Sequence, residues 1–154
     1  MKQPPIGLQL TRTARVVSQA FERAMTEAGG SGAAWQVLLL VRSEKWGAQA
    51  RMAEALGITG ATLTHHLNAL ERQGLVRRWR DAGNRRVQRT ALTPAGEQLF
   101  ERLREAVVRH DERLRSRLGD DDTALLAQLL DKLLAGIEED DARPIEQPSG
   151  DRAR

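Results

Sequence analysis

The chain of 154 residues has no cysteine and no tyrosine, and only 3% of its residues are aromatic. Without cysteine there can be no disulfide, thiolate metal site, cysteine nucleophile or thiol oxidant sensor. No stretch approaches the roughly 18 consecutive apolar residues that a membrane-spanning helix needs, and the N-terminus lacks an apolar signal core. The expectation is a soluble, cytoplasmic protein with no membrane partner. No Gly-rich phosphate loop, HExxH-type spacing or nucleophile motif is present either. His65 or His110 with Glu71 or Asp111 could in principle exchange protons, but no catalytic set surrounds them, so the chain is read as not an enzyme. No cofactor is expected. The pair His65-His66 makes a poor zinc site, because adjacent residues on a helix diverge by about 100° and no third ligand is spaced to join them.

What the chain does contain is leucine, alanine, arginine and glutamate, a helix-rich composition in a length that suits one domain or one tightly merged unit with a real core. The net charge of +3 is too small to argue for nucleic acid, but its distribution is uneven. Residues 57–93 hold seven basic and two acidic side chains, net +5, whereas residues 119–146 hold nine acidic and two basic, net −7. A basic middle and an acidic end fit a protein that turns one face to DNA.

The stretch Gln49–Asn84 organises the rest. Met52, Ala53 and Leu56 lie on one side of a short helix over Ala50–Leu56, at the three- and four-residue spacing of a buried face. Gly57 suits the left-handed position just past its end, and Thr59 offers a hydroxyl to cap the next helix. That helix, from Gly60 to Arg72, buries Leu63, Leu67 and Leu70 and stops near Gly74. Its other face carries Thr62, Thr64, His65 and Asn68, short hydrogen-bonding side chains of the kind that read base edges in a major groove. A hairpin should follow: Leu75–Arg80 outward, a turn through Asp81-Ala82-Gly83-Asn84, and a return over Arg85–Leu92. Between Leu70 and Leu92 stand seven arginines against two acids. Arg77, Arg78 and Arg89 are expected nearer phosphates, and Arg85 and Arg86 at the tip in an adjacent minor groove. An arginine-rich hairpin also suits an acidic protein partner, which leaves open the alternative of an interaction module without specific DNA binding.

Outside this centre, Ile6, Leu10, Ala14, Val17, Phe21 and Met25 mark one apolar stripe of a helix over residues 6–28. Gly29-Gly30-Ser31-Gly32 breaks it, and the nearly all-apolar Ala33–Val41 is assigned to a buried helix because its β-branched content is low. Glu44–Ala48 offers no capping Ser or Thr before the helix-turn-helix. Thr93-Pro94 is a cap followed by proline at the first helical position, opening a helix to about Leu118 with Leu99, Leu103, Val107, His110, Leu114 and Leu118 in its stripe. Asp120–Asp122 should cap a last helix over Thr123–Glu138, whose paired leucines form a face wide enough for two partners. A lobe of about sixty residues cannot cover all of these apolar stripes, so a second subunit is the natural cover and a twofold homodimer is expected. The competing arrangement is a monomer with its terminal helices folded back on the middle. The tail 140–154, with two prolines and mixed charge, is expected to be disordered.

Taken in order, Arg51–Ile58, Thr62-Leu63-Thr64, Leu70–Arg77, Asp81–Arg86 and Leu92–Gly96 resemble the winged helix-turn-helix of the MarR (multiple antibiotic resistance regulator) family. The ordered blocks are specific as a set. One departure is Asn84, where the family commonly has an acid before the wing arginine. The resemblance implies a mainly α fold with a small β-hairpin wing: dimerisation helices at 6–28 and 94–139, and a winged helix-turn-helix DNA-binding lobe at 33–93. It also implies a homodimeric bacterial transcription regulator, usually a repressor, that binds a palindromic site on double-stranded DNA and is released by a small-molecule effector. The effector commonly sits between the dimer helices and the DNA-binding lobe, where Arg15, Trp35 and His110 are the candidate contacts.

Overall fold

The computed structural model describes residues 4–43, 49–85 and 88–141. Among the described residues, six helices and one hairpin follow in the order α1 (Ile6–Glu27), α2 (Gly32–Arg42), α3 (Gln49–Leu56), α4 (Gly60–Arg72), β1 (Val76–Arg80), β2 (Gln88–Leu92), α5 (Pro94–Leu118) and α6 (Asp120–Asp141). The chain divides into two units, residues 1–111 and residues 112–154.

In the first unit the core gathers on α2, whose Val37 and Leu38 are almost wholly buried. Met25 of α1, Met52 and Ala53 of α3, Leu63 and Leu67 of α4, and Leu99 and Leu103 of α5 belong to the same apolar cluster. Ala33–Val41 is therefore helical and central, as its low β-branched content suggested. The glycine run before it does two jobs. Gly29 (φ +93°) and Gly30 close α1 by donating to the carbonyls of Thr26 and Met25, and Ser31 Oγ then accepts from the Ala34 amide at 3.1 Å to cap α2.

Apolar periodicity continues past the point where burial stops. In α1, Met25 is fully buried but Ile6 at the other end is 73% exposed. The start of α5 is tied down at the hairpin. Thr93 Oγ1 accepts from the Gly96 amide at 3.1 Å and donates to the Gly74 carbonyl at 2.6 Å, while the Thr93 amide donates to Leu75 O at 3.0 Å. Here Gly96 is required for space, because a Cβ would overlap the Leu75 carbonyl oxygen.

In the second unit, α6 begins at Asp120, three residues earlier than the expected start at Thr123. Gly119, at φ +81°, supplies the first carbonyl, which accepts from the Thr123 amide at 3.0 Å. Asp120–Asp122 thus form the first turn, where the positive end of the helix dipole favours carboxylates, and do not precede it. The helix also continues to Asp141. The expected helix start over Glu44–Ala48 and the tail from residue 142 onward lie outside the described residues. Among the described residues no helix is long and apolar enough to cross a membrane.

Candidate nucleic-acid interface

The corner between α3 and α4 is made by local chemistry. Gly57 (φ +63°) and Ile58 donate to the carbonyls of Glu54 and Ala53, ending α3. Thr59 Oγ1 accepts from the Thr62 amide at 3.1 Å and lies 2.8 Å from Thr62 Oγ1, opening α4. The leucines at 63, 67 and 70 then pin one face of α4 to the core, which leaves Thr62, Thr64, His65 and Asn68 exposed together on the other. Thr64 Oγ1 donates to Gly60 O at 2.9 Å, so its lone pairs face outward.

The hairpin is antiparallel, with Val76 opposite Leu92, Arg78 opposite Thr90 and Arg80 opposite Gln88. Side chains two apart on a strand share a face. Val76 is buried, so Arg78 is carried to the protein side, while Arg77 lies on the other face with its guanidinium 4.8 Å from the Trp79 ring centre. Arg78, expected among the phosphate contacts, thereby meets Glu71 and Asn68 of α4, and only 12% of its side chain is exposed.

At the tip, Asp81 braces the turn. Its Oδ1 accepts the amides of Gly83 at 2.8 Å and Asn84 at 3.1 Å, and its Oδ2 pairs with Arg89 Nε. The Arg89 guanidinium, with the two amides, holds the Asp81 carboxyl below the usual carboxylate range. Arg78 does the same to Glu71. Arg80 Nη1 donates to the Arg85 carbonyl at 3.1 Å, joining the two arms. Arg85 is exposed; Arg86 lies outside the described residues. The Asp-X-Gly spacing of the turn is legible in the sequence, but the bracing roles of Asp81 and Glu71 are not, because strand pairing and the packing of β1 on α4 bring Arg89 and Arg78 to them.

Behind α4 is a cavity of about 310 Å³ lined by the Gly29–Ser31 turn, Ala34, Leu99 and the α4 side chains His66, Ala69, Leu70 and Gln73. Arg15, Trp35 and His110 do not line it. Trp35 stacks on Phe100 at 4.9 Å, His110 meets the edge of Phe21 at 5.6 Å, and Arg15 is exposed on α1. His66 and Gln73 were missed as cavity residues because only the packing of α4 against the α1–α2 turn brings them there. A more open cavity of about 510 Å³ beside Phe100 has its arginines, Arg42 and Arg104, already paired with Glu101. Among the described residues no cluster of three potential metal ligands occurs.

Comparison with known proteins agrees with this architecture. The model of the MarR family matches residues 33–87. The transcriptional repressor CouR, solved bound to a 23-mer DNA duplex, is 30% identical, with 84% of this chain and 92% of that one covered and a TM-score of 0.75. The chain belongs to the MarR family. A Thauera aromatica protein named as a transcriptional regulatory protein for the hcr operon is 27% identical over 129 residues, 83% of this chain and 78% of that protein. CouR has also been solved with p-coumaroyl-CoA; that structure is 28% identical, with 84% of this chain and 91% of that one covered and a TM-score of 0.71. The resemblance read from the ordered blocks is thus borne out, as is the mainly helical winged fold.

Proposed function

We propose that this MarR-family protein is a homodimeric, ligand-responsive repressor that acts in the cytoplasm and binds a palindromic operator. The observation that carries the reading is the exposed polar face of α4 set beside a hairpin whose arginines are held by internal bonds. In this reading Thr62, Thr64, His65 and Asn68 approach base edges in the major groove, Arg85 and Arg86 enter the adjacent minor groove, and Arg77 and Arg89 lie near phosphates. CouR, seen on a DNA duplex, supports the same use of the fold.

The dimer follows from uncovered apolar surface. Seven apolar side chains of α6, from Leu125 to Ile137, are 40–58% exposed, and Ile6 and Leu8 of α1 are exposed as well. A second copy covering residues 6–28 and 94–139 would remove this area from water at about 25 cal/mol per Å². It would also set two copies of α4 about one turn of DNA apart, roughly 34 Å, and so call for a palindrome. For the effector, the cavity behind α4 is the better seat, because a small organic ligand against His66 and Gln73 would shift the populations of α4 placements that fit one duplex face. That CouR binds p-coumaroyl-CoA supports ligand response of this kind.

The test is an anisotropy titration of the purified protein against its own upstream intergenic DNA at two salt concentrations. Tight, salt-sensitive binding to one short palindrome is expected. Binding no tighter than to random duplex would turn the reading toward a protein-interaction module.

A further inference from the structure

Arg78, Glu71 and Asn68 form one unit across the boundary between β1 and α4. Arg78 Nε donates to Glu71 Oε2 at 3.0 Å, and its Nη2 donates at 2.5 Å to both Glu71 Oε2 and Asn68 Oδ1. A guanidinium has five N–H donors and no acceptor, so the end of the Asn68 amide that faces it is the oxygen, and the nitrogen is left at the other end. Glu71 balances the charge of Arg78, and the arginine side chain is only 12% exposed. Both conditions keep it from being drawn to a phosphate.

Adenine is read by asparagine through a matched pair of bonds, with the amide oxygen accepting from N6 and the amide nitrogen donating to N7. An asparagine whose oxygen is already engaged by a charged donor is poorly set for that pairing. Its remaining amide nitrogen, with two hydrogens, matches the adjacent N7 and O6 acceptors of guanine and opposes the N6 amine of adenine. Resting on α4 being the recognition helix, we propose that Arg78 is a positioning residue that sets specificity: by holding Asn68 Oδ1 it turns Asn68 into a donor that selects guanine over adenine at the base pair it meets. Arg78 therefore acts through Asn68 and makes no phosphate contact of its own.

The test uses the full-length protein and its operator, with each guanine of a half-site replaced in turn by adenine, at two salt concentrations. For the wild type, one such replacement is expected to weaken binding about tenfold, and Asn68→Ala to abolish that difference. Arg78→Met removes every donor but keeps the apolar stem. It is expected to erase the same guanine preference, to be no worse in combination with Asn68→Ala than alone, and to leave the salt slope unchanged. A phosphate contact would instead lower the log–log salt slope by close to one unit and add to the loss from Asn68→Ala, and either result overturns the proposal. Should Arg78→Met fail to fold, Glu71→Gln is read the same way: a reduced preference at that base pair supports the positioning role, and an unchanged preference overturns it. A wild type that prefers no duplex over random DNA overturns the DNA-binding reading itself. Specific binding in which that guanine is immaterial overturns only the role assigned to Arg78 and Asn68.

Discussion

Leu63, Leu67 and Leu70 hold α4 by burial, each 4% exposed or less, whereas the hairpin beside it buries Val76, sets Leu92 partly against the core, and is braced toward its tip and against α4 by charged hydrogen bonds at Asp81, Arg89, Arg78 and Glu71. Apolar burial is not subject to charge screening and does not titrate; exposed ion pairs are screened and titrate. The two parts of the proposed DNA surface therefore differ in kind. One is a fixed element carried by the core, and the other is a conditional element whose order depends on a few polar groups. A duplex that brings phosphates to the wing competes with Asp81 for the exposed Arg89, while α4 offers hydroxyl and amide groups that need no such exchange.

The largest effect should come from the apolar side of this contrast. Leu67→Ala leaves a cavity in the core and is expected to cost about 2–5 kcal/mol, measured by urea unfolding, with α4 and the wing lost together. Gly96→Ala forces a Cβ against the Leu75 carbonyl, where backbone must give way, and is expected to cost roughly 1–3 kcal/mol in the same assay. A neutral Gly96→Ala would show that the joint between β2 and α5 is looser than its hydrogen bonds indicate. On the polar side, Arg85→Ala and Arg86→Ala should leave the unfolding curve in place and each lower the salt slope of operator binding by close to one unit. Unchanged slope and affinity in both would remove the wing from the mechanism.

Asp81→Ala sharpens the comparison further. It removes the acceptor of two turn amides and the partner of Arg89, so amide exchange in the hairpin should accelerate while exchange in α4 does not change. Acid titration should give the mildest form of the same result. Because Asp81 and Glu71 have folded pKa values below their ordinary ones, the stability they contribute is fully present above the ordinary carboxylate range. It is lost only as pH falls through the lowered values. Hairpin amide protection should accordingly stay constant through neutral and mildly acidic pH and collapse in stronger acid, before α4 opens. Simultaneous loss of both would mean that the wing is held by the core after all.

Much of the fold could be read without coordinates, and for a common reason. The leucines of α4, Gly57 after α3, Thr59 before α4 and Thr93-Pro94 before α5 act within one or two helical turns, so their meaning does not depend on distant residues. Even the inward face of Arg78 was available in part, since it stands two residues from the apolar Val76 on a strand. What could not be read was which residues of α4 that face would meet. The early start of α6 shows a smaller failure of the same kind: three aspartates look like a cap until Gly119 is seen to adopt positive φ and supply the first carbonyl.

The sequence by itself determined the helices, the corner, the wing and the polar character of the exposed face of α4, because each rests on short-range periodicity and capping. Tertiary structure decided that Arg78 faces Asn68 and Glu71 and that Asp81 braces the wing, and it brought His66 and Gln73 to a cavity with the α1–α2 turn. Those outcomes depend on which faces of separate elements are pressed together, and an arginine that reads as a free cation in a string of residues becomes a fixed donor once a carboxylate and an amide oxygen are packed against it.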